Sequence, residues 1–442
     1  MLVYTPLGMK VAAPSLFQRS PKILGLVLIG FIPVFFAACA ALPERNEKEI
    51  RYEMKHKFAV ADPEFLRCMG ELLGPGILSG NRVTALQNGD EIFPAMLSAI
   101  HSAQTSINFE TYIYWSGEIG RQFTEAFCER AHAGVKIHVL IDWMGSSKID
   151  HRYLAAMKEC GVELEEYHPI TWYNLRRLNN RTHRKLLIVD GKIGFTGGVG
   201  VADPWTGNAT LKDHWRDSHF KIEGPAVAQM QAAFGDNWLK THARVLIGDD
   251  YYPALSPVGS TRAQVFKSSR DEGSESVRLM YLLSIASASK SIRLQAAYFV
   301  PDDLAIATLV DAVHRGVKVE IIVPGPYVDS EIVQGASRSR WRELLDAGVS
   351  LYQYQPCLYH CKVLIVDDLW VSVGSTNFDN RSFRLNDEAN LNVYDAAFAA
   401  QQIATFEGDK RLSRLMTRAD FKDRPLPEKV LDSVAGVLRQ QL

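Results

Sequence analysis

One unit of sequence occurs twice in this chain, and that duplication constrains the fold more than any other feature. Residues 134–141 (GVKIHVLI) match residues 316–323 (GVKVEIIV). Farther along, residues 183–190 (HRKLLIVD) match residues 360–367 (HCKVLIVD). Solenoid repeats recur every ~20–50 residues, and the spacing here is several times longer. The pattern therefore predicts two copies of a whole domain.

Each copy alternates helical and extended patterns. Apolar residues recur at helical spacing in some segments, and short apolar runs typical of buried strands occur in others. The helical segments are 97–104 and 304–315, and the strand segments are 137–141, 186–189, 319–323 and 363–366. This alternation predicts an α/β fold in which a parallel or mixed sheet is flanked by helices. The two tandem repeats would pack as one bilobal body.

Breaks in the pattern divide the chain into four predicted parts. Two prolines, Gly259 and several serines interrupt the periodicity between residues 251 and 261, which indicates a boundary between the repeats. The predicted parts are a signal or anchor segment (1–42), a juxtamembrane linker (43–80), a first repeat (81–258) and a second repeat (259–442).

The segment 23–42 contains no charged residue. A helix of that length spans ~30 Å, which matches the core of a bilayer. Lys10, Arg19 and Lys22 precede it, so the positive-inside rule places the amino terminus in the cytoplasm and the rest of the chain outside. Small residues before Cys39 resemble a bacterial lipoprotein signal. An uncleaved anchor, lipidation at Cys39 and a cleaved secretory signal all stay open.

The overall charge argues against a protein that coats nucleic acid. Lysine and arginine number 49 against 50 for aspartate and glutamate, whereas such proteins usually carry a basic excess. A hydrophobic fraction of 47% also excludes a disordered chain. Six cysteines are too few for a disulfide scaffold. If the chain lies outside the cytoplasm, Cys357 and Cys361 beside His360 are the candidates for oxidation.

The two copies share a motif that can carry chemistry. Each has a histidine and a lysine two residues apart, followed by four apolar residues and an aspartate. Side chains at i and i+2 of a strand share a face, so the imidazole and the ammonium group point together. Imidazole can attack or transfer a proton near neutral pH, and an ammonium group holds phosphate charge. The motif residues are His183, Lys185 and Asp190 in the first copy and His360, Lys362 and Asp367 in the second.

This pattern resembles the His-x-Lys-x4-Asp-x6-Gly-Ser-x-Asn signature of the phospholipase D superfamily, over residues 81–442. Within that superfamily the chain is most similar to the bacterial cardiolipin synthases. The supporting stretches are 110–114 (ETYIY), 215–219 (WRDSH), 298–302 (YFVPD), 377–383 (NFDNRSF), 385–388 (LNDE) and the tail around 424–426 (RPL). The first copy departs from the signature, because Gly198 and Gly200 stand where the second copy has Ser375 and Asn377.

The resemblance implies an enzyme with one active site between two lobes and with no metal or cofactor. Its expected reaction moves a phosphatidyl group from one phosphatidylglycerol to another, giving cardiolipin and glycerol, at the bacterial cytoplasmic membrane. The alternative is a phospholipase D-type phosphodiesterase that hydrolyses phospholipid or nucleic acid. The apolar segment and the neutral charge favour lipid, so no nucleic acid and no obligate protein partner are expected. Phosphatidylglycerol, phosphatidylethanolamine and water all stay open as the acceptor.

The resemblance also assigns roles to the motif residues. One histidine would form a covalent phosphohistidine, and the other would act as general acid and then as general base. By analogy with the family, His183 is the nucleophile and His360 handles the proton. Lys185, Lys362 and Asn377 would stabilise charge on the phosphate oxygens.

Each histidine also needs a carboxylate on its other ring nitrogen to fix its tautomer. Family position makes Asp217 and Glu388 the candidates, and each lies downstream of the histidine in its own copy. Ser375 joins them among the substrate-binding and orienting residues. Asp190 and Asp367 complete the catalytic motif, but we expect them to be mainly structural, ending a strand and either tying the lobes together or capping the turn.

Overall fold

The computed structural model describes residues 54–169, 179–269 and 275–437. The predicted signal or anchor segment and Cys39 lie outside these described residues. Inside them, no helix combines the length and the apolar character that crossing a bilayer requires.

Residues 54–242 contain the first repeat and the segment that leads into it. The strands here are β1 (Leu78–Gln87), β2 (Ser106–Thr111), β3 (Lys136–Asp142), β4 (Glu163–Tyr167), β5 (Leu186–Val189), β6 (Ile193–Gly197), β7 (Trp215–Arg216) and β8 (Ser218–Glu223). The helices are α1 (Pro63–Arg67), α2 (Asn88–Ser102), α3 (Glu118–His132), α4 (His151–Glu159) and α5 (Val227–His242), with a π-helical turn at Cys68–Leu72 and a 3₁₀ turn at Asp203–Trp205. The predicted strands 137–141 and 186–189 are confirmed as the centre of β3 and as β5.

Residues 261–437 contain the second repeat. The strands are β9 (Thr261–Ser268), β10 (Ser291–Ala296), β11 (Phe299–Val300), β12 (Lys318–Pro324), β13 (Ser350–Tyr354), β14 (Leu358–Tyr359), β15 (Lys362–Val366), β16 (Trp370–Gly374), β17 (Phe378–Asp379), β18 (Glu388–Tyr394) and β19 (Ser413–Met416). The helices are α6 (Ser276–Ala286), α7 (Asp303–His314), α8 (Glu331–Ser339), α9 (Trp341–Ala347), α10 (Asn380–Arg384), α11 (Ala396–Arg411), α12 (Arg418–Lys422) and α13 (Leu426–Val437). The predicted strands 319–323 and 363–366 are confirmed within β12 and β15.

A single mixed sheet runs through both repeats. Within the described residues, fifteen strands pair in the order β19-β13-β12-β10-β15-β16-β18-β9-β1-β8-β6-β5-β2-β3-β4. Three neighbouring strands are parallel in each repeat, namely β2-β3-β4 and β10-β12-β13. The first strands of the two repeats, β1 and β9, pair antiparallel at the centre, with Asn81 opposite Thr261. The predicted α/β sheet flanked by helices is confirmed, and backbone hydrogen bonds join its two halves.

The strands that carry the motifs are anchored in a core that both repeats share. Leu186 and Ile188 of β5 and Val363 and Ile365 of β15 are buried in it together. The twin helices α5 and α11 cover this core. Burying one such aliphatic side chain stabilises a fold by about 1.5–3 kcal/mol. The segment that leads into each motif strand, where the histidine lies, is therefore held on a rigid base.

The described part of the predicted juxtamembrane linker packs against the second repeat. Phe65 of α1 lies edge-on to Trp370 of β16, with 5.0 Å between ring centroids. Met69 is buried in the same core. The backbone N–H of Val60 donates to the carbonyl of Ser287 over 3.2 Å. These contacts hold residues 60–69 on the body of the protein.

A disulfide joins Cys128 in α3 to Cys160, which follows α4. The pair that the sequence suggested for oxidation is wrong, because Cys357 and Cys361 are both buried free thiols. Burial raises the pKa of Cys357 to about 11 and that of Cys361 to about 12. Such thiols stay protonated and are poor nucleophiles. Proximity along the chain did not indicate the real pair, which the packing of α3 on α4 brings together.

Candidate active site

The two motif histidines each contact a carboxylate from the other repeat. Nδ1 of His183 lies 3.0 Å from Oε1 and 3.1 Å from Oε2 of Glu388. Nδ1 of His360 lies 2.7 Å from Oδ2 of Asp217. Both carboxylates are fully buried. The pairs therefore cross between the repeats, and neither repeat holds a complete pair by itself.

Backbone pairing explains why the pairs cross. The residues just before each motif run parallel to the chain that carries the opposite carboxylate. Before the first motif, Thr182 forms a parallel β-bridge with Asp387. Before the second motif, β14 pairs in parallel with β7. The N–H of His183 donates to the carbonyl of Asp387 over 2.9 Å, and that of His360 donates to the carbonyl of Arg216 over 2.8 Å. Each histidine is thus fixed beside the residue that precedes its carboxylate.

Both histidine rings line one cleft of about 300 Å³. Because Nδ1 of each ring faces a carboxylate, Nε2 is the nitrogen that a ligand would contact. In His360 this nitrogen also lies 3.2 Å from Nζ of Lys362. Tyr112 lies edge-on to His183, with 5.2 Å between ring centroids. Trp205 and Trp215 flank His360, each with its ring centroid 5.4 Å away. The aromatic rings restrict the orientation of both imidazoles.

The motif lysines lie beside the histidines that precede them. Nζ of Lys185 donates to the carbonyl of His183 over 2.8 Å, and Nζ of Lys362 donates to the carbonyl of His360 over 2.6 Å. Both lysines are buried, and Lys185 lines the cleft. Two buried ammonium groups next to a cleft favour an anionic ligand.

Burial sets the protonation of the first histidine. It lowers the pKa of His183 to about 4, although Glu388 acts in the opposite direction. Burial alone would raise the pKa of Glu388, but His183 and Lys185 hold it at about 2. At neutral pH the cleft therefore presents a neutral imidazole whose Nδ1–H donates to an ionised carboxylate. That state suits a nucleophile.

Burial and neighbouring charges also set the pKa values of the second pair, His360 and Asp217. Burial, reinforced by Lys362, lowers the pKa of His360, and Asp217 opposes them. Burial alone would raise the pKa of Asp217, but His360 keeps it below its usual range. Burial also lowers the pKa of Lys185 to about 7. An anion entering the cleft would favour the protonated forms of His360 and Lys185.

Different donors hold the two carboxylates. Oγ of Ser375 donates to Oε2 of Glu388 over 2.5 Å. At the twin position Gly198 lies so close to Asp217 that an added Cβ would be 2.2 Å from Oδ1. The donor there is the indole N–H of Trp205, 3.0 Å from Oδ2 of Asp217. The departure from the signature at Gly198 is therefore required by packing.

Asn377 and its counterpart Gly200 differ for a related reason. Asn377 lines the cleft and is 4% exposed. A Cβ on Gly200 would meet Ile113 at 3.0 Å and the ring of Trp205 at 3.4 Å. Trp205 thus fills the space that a second motif asparagine would need, so the motif amide comes from the second repeat alone.

The motif aspartates hold turns within their own repeats. The carboxylate of Asp190 accepts hydrogen bonds from the backbone N–H groups of residues 104–106, the shortest over 2.7 Å. Asp367 accepts in the same way from residues 289–291, the shortest over 2.7 Å. Their φ angles of 52° and 53° end the motif strands. Neither aspartate lines the cleft, and both cap the turn before a neighbouring strand instead of tying the repeats together.

Sequence reasoning assigned no role to five residues of the cleft, although three of them lie in the stretches that carry the family resemblance. Tyr112 and Tyr298 had a detectable signal, because each follows a strand that pairs with a motif strand. Trp205 and Asp329 lie in turns, where no periodicity marks them, and Arg381 lies in the short helix α10. All five line the cleft.

The arrangement defines a class of enzyme. Two histidine–carboxylate pairs, two buried lysines and an amide lie around one cleft. These groups can carry out displacement at a phosphodiester, with one histidine as nucleophile and the other as acid and base. Among the described residues, no group of three or more histidine, cysteine, aspartate or glutamate side chains is arranged to hold a metal ion. The class is that of phospholipase D-type phosphodiester transferases.

Comparisons with known proteins narrow the class to a family. Residues 96–238 and 281–410, one segment from each repeat, match the family described as "Cardiolipin synthase, PLD-like domain". Cardiolipin synthase 1 of Bacillus cereus is 36% identical over 358 residues, which cover 79% of this chain and 70% of that protein. The major cardiolipin synthase ClsA of Bacillus subtilis is 34% identical over 362 residues, which cover 81% of this chain and 75% of that protein.

A solved structure shares the fold at low identity. The crystal structure of phosphatidylserine synthase from Haemophilus influenzae aligns with a TM-score of 0.65 and 13% identity, covering 86% of this chain and 100% of that one. Together with the family match, these findings show that the chain belongs to the cardiolipin synthase family of the phospholipase D superfamily. It is therefore an enzyme of the phosphatidyltransferase class.

Proposed function

We propose that this protein makes cardiolipin and glycerol from two molecules of phosphatidylglycerol through a phosphohistidine intermediate. The observation that carries the proposal is the pair of crossed dyads, His183 with Glu388 and His360 with Asp217, which face a single cleft. One dyad alone could not both attack phosphorus and protonate the group that leaves from the opposite side.

In the first step, Nε2 of His183 attacks the phosphorus of a phosphatidylglycerol. A nitrogen–phosphorus bond forms while the bond from phosphorus to the headgroup oxygen breaks. His360, as an imidazolium stabilised by Asp217, gives its proton to that oxygen, and glycerol leaves. Glu388 stabilises the positive charge that develops on His183.

In the second step, a hydroxyl group of a second phosphatidylglycerol gives its proton to His360. Its oxygen attacks the phosphorus, and the bond to His183 breaks. Cardiolipin leaves, and both histidines return to their starting states. Water in place of that hydroxyl would give phosphatidic acid, so the hydrolytic alternative uses the same residues.

The remaining motif residues stabilise charge or position the dyads. Lys185, Lys362 and the amide of Asn377 would bind the non-bridging oxygens as charge develops in the transition state. Removing one such donor typically costs on the order of 3 kcal/mol in the barrier. Ser375 acts through Glu388, to which it donates.

The test is to trap the intermediate on the purified full-length chain. The protein is mixed with phosphatidylglycerol, quenched in alkali because phosphohistidine is labile to acid, and mapped by mass spectrometry. We expect the adduct on His183. We also expect His183→Ala and His360→Ala each to abolish turnover, and the double variant to be no worse, because the two residues act as one unit.

Other results of this experiment would contradict the proposal. An adduct on His360 would reverse the two roles. If neither histidine is labelled during turnover, the covalent mechanism is wrong. Phosphatidic acid as the main product, with little cardiolipin, would select the phosphodiesterase alternative.

We infer in addition that residues 1–42 hold the enzyme at the bacterial cytoplasmic membrane, with the catalytic body on the outer face. The basic residues before the apolar run support this orientation. The disulfide between Cys128 and Cys160 also suits an oxidising compartment. A reporter fused after Leu442 should behave as exported, and removal of residues 1–42 should release the body from membranes. A cytoplasmic reporter would contradict the orientation.

A further inference from the structure

The wall of the cleft beside His360 differs in charge from the opposite wall. The turn after β12 places Asp329 in the cleft, whereas the turn after its twin strand β3 places Lys148 there. Tyr298 lines the same wall as Asp329 and lies edge-on to His360, with 6.4 Å between ring centroids. A carboxylate here requires an explanation, because it repels the substrate phosphate.

Asp329 is not neutralised by a neighbouring cation. The hydroxyl of Tyr298 donates to its Oδ2, and no cationic side chain in the described part of the chain forms an ion pair with it. Its charge acts on the second dyad. Burial and Lys362 lower the pKa of His360, and Asp329 acts in the opposite direction together with Asp217. One oxygen of Asp329 accepts from Tyr298, and this exposed carboxylate can accept a further hydrogen bond from a ligand beside the proposed general acid.

A second acceptor lies in the same cleft. Oδ1 of Asn377 has no hydrogen-bond partner within the described ranges, although the side chain is buried. A buried acceptor without a partner costs free energy, and a ligand that donates a hydrogen bond to it recovers that cost. The cleft also contains the cations Lys148, Lys185 and Arg381, and a second carboxylate, Asp379, that accepts from the backbone N–H of Ser382. Beside His360, the acceptors Asp329 and Asn377 favour a ligand that donates hydrogen bonds.

We propose that Tyr298, Asp329 and Asn377 form the site that binds the glycerol headgroup through its hydroxyl groups. The inference rests on the proposed function, in which His360 serves the headgroup oxygen both when the first glycerol leaves and when the second headgroup attacks. The hydroxyl on the middle carbon of the headgroup is free in both roles and can donate to Asp329. Water cannot occupy the attacking position and make these contacts at once, so the site favours transfer over hydrolysis.

The experiment measures how the enzyme divides its intermediate among acceptors. Purified full-length protein is given micellar phosphatidylglycerol with deuterated glycerol and ethanolamine in water. Labelled phosphatidylglycerol and cardiolipin report transfer to glycerol groups, phosphatidylethanolamine reports transfer to an amino alcohol, and phosphatidic acid reports hydrolysis. We expect Asp329→Asn to lower the ratio of glycerol transfer to hydrolysis by roughly tenfold, the loss of one hydrogen bond to a charged acceptor.

Two further variants make the test specific. Tyr298→Phe removes the hydroxyl that fixes Asp329, and we expect it to lower the same ratio by a smaller factor. Asp346→Asn changes an exposed carboxylate on α9, outside the cleft, and should keep the wild-type ratio. If circular dichroism shows that Asp329→Asn does not fold, the ratio in Tyr298→Phe decides.

Two outcomes would overturn the headgroup site. In the first, the ratio in Asp329→Asn stays within twofold of wild type, which includes an equal loss of every product. In the second, Asp329→Asn lowers transfer to ethanolamine alone, which would make Asp329 an ammonium-binding residue. Wild-type protein that does not consume phosphatidylglycerol would refute the proposed function itself, and that failure is distinguishable from an unchanged ratio.

Discussion

The indole N–H of Trp205 donates to Oδ2 of Asp217 over 3.0 Å, and the same carboxylate oxygen lies 2.7 Å from Nδ1 of His360. Trp205 thus donates a hydrogen bond to the carboxylate of the second dyad through its indole N–H, as Ser375 does to the carboxylate of the first dyad through its hydroxyl. Its ring also packs edge-on against His360. The two dyads are related by the duplication, but their supports are not, and Trp205 is a positioning residue that acts through Asp217.

Replacing the indole of Trp205 should therefore slow proton transfer without weakening the binding of substrate. We expect Trp205→Phe to lower kcat on phosphatidylglycerol by roughly 10- to 100-fold, the usual effect of losing a hydrogen bond to a charged group, with little change in KM. A substrate with a p-nitrophenolate leaving group needs no proton to depart. The rate of its first step, measured as the burst of p-nitrophenolate, should stay near that of wild type.

A matched control separates this effect from general damage. Trp370 is fully buried, its indole N–H donates to Ser284 over 3.0 Å, and it does not line the cleft. Trp370→Phe should lower thermal stability without changing the ratio of rates on the two substrates. Equal losses on both substrates in Trp205→Phe would contradict a role through the general acid.

The crossed dyads can be tested by their effect on individual rings. With ¹⁵N-labelled histidine, Glu388→Gln should shift the Nδ1 resonance of His183 and leave that of His360 in place, because Glu388 contacts only the first ring. Asp217→Asn should do the reverse. We expect each variant to lower kcat by at least roughly 10- to 100-fold, since it removes the group that fixes a tautomer. The opposite pattern of shifts would mean that each dyad lies within one repeat.

The strands and the motifs could be predicted because they depend on local order. Alternating apolar runs fixed the positions of β3, β5, β12 and β15, and the two-residue spacing put each histidine and lysine on one face. Arg184, between His183 and Lys185, turns into the core, where it donates to the carbonyl of Ala233 over 2.7 Å and to that of Ser268 over 2.9 Å.

The partners of the histidines could be named from the sequence, but their pairing could not. Asp217 and Glu388 each follow the histidine of their own repeat, which suggests nothing about crossing. The crossing depends on the bridge between Thr182 and Asp387, a contact between residues distant in sequence. Trp205 was missed for a similar reason, since a turn has no periodicity and its contact with Asp217 exists only after folding.

The rate should depend on pH through Lys185. Burial lowers the pKa of this lysine to about 7 in the free enzyme, with Lys362 acting in the same direction and Glu388 against it. Above that pH the ammonium loses its proton and no longer attracts the phosphate, so kcat/KM should fall on the alkaline side with an apparent pKa near 7. Lys185→Arg keeps its charge at all these pH values and should move the fall to higher pH, even if its maximal rate is lower. A wild-type kcat/KM that is flat from pH 7 to 9 would contradict this role.

Stability should depend on pH through Glu110. Burial raises the pKa of this fully buried carboxyl to about 7, despite the opposing effects of Arg184, Thr182 and Asn237. Below the unfolded pKa of 4.5 both states hold the proton, and between 4.5 and about 7 only the folded state does. The stabilisation is therefore present at low pH and is lost as pH rises through about 7, by on the order of 3 kcal/mol.

Glu110→Gln removes this dependence because an amide does not ionise. The difference in Tm between variant and wild type should shift in favour of the variant between pH 5 and pH 8, as measured by calorimetry. Changes in other groups cancel in the difference. A Tm difference that is constant over this range would mean that Glu110 has an ordinary pKa.

The disulfide between Cys128 and Cys160 should contribute measurably to stability. It closes a loop with a sequence separation of 32 residues, and the entropy removed from the unfolded chain corresponds to roughly 3–4 kcal/mol. Reducing agent should therefore lower the Tm of wild type but not that of the Cys128→Ser/Cys160→Ser variant, which should already have the lower value. Cys68→Ser changes a cysteine that is free in the structure and should keep both the wild-type Tm and its sensitivity to reduction. In the denatured, unreduced protein, a thiol count that includes Cys128 and Cys160 would show that the bond does not form in the cell, and would remove the support that it gives to an outer-face location.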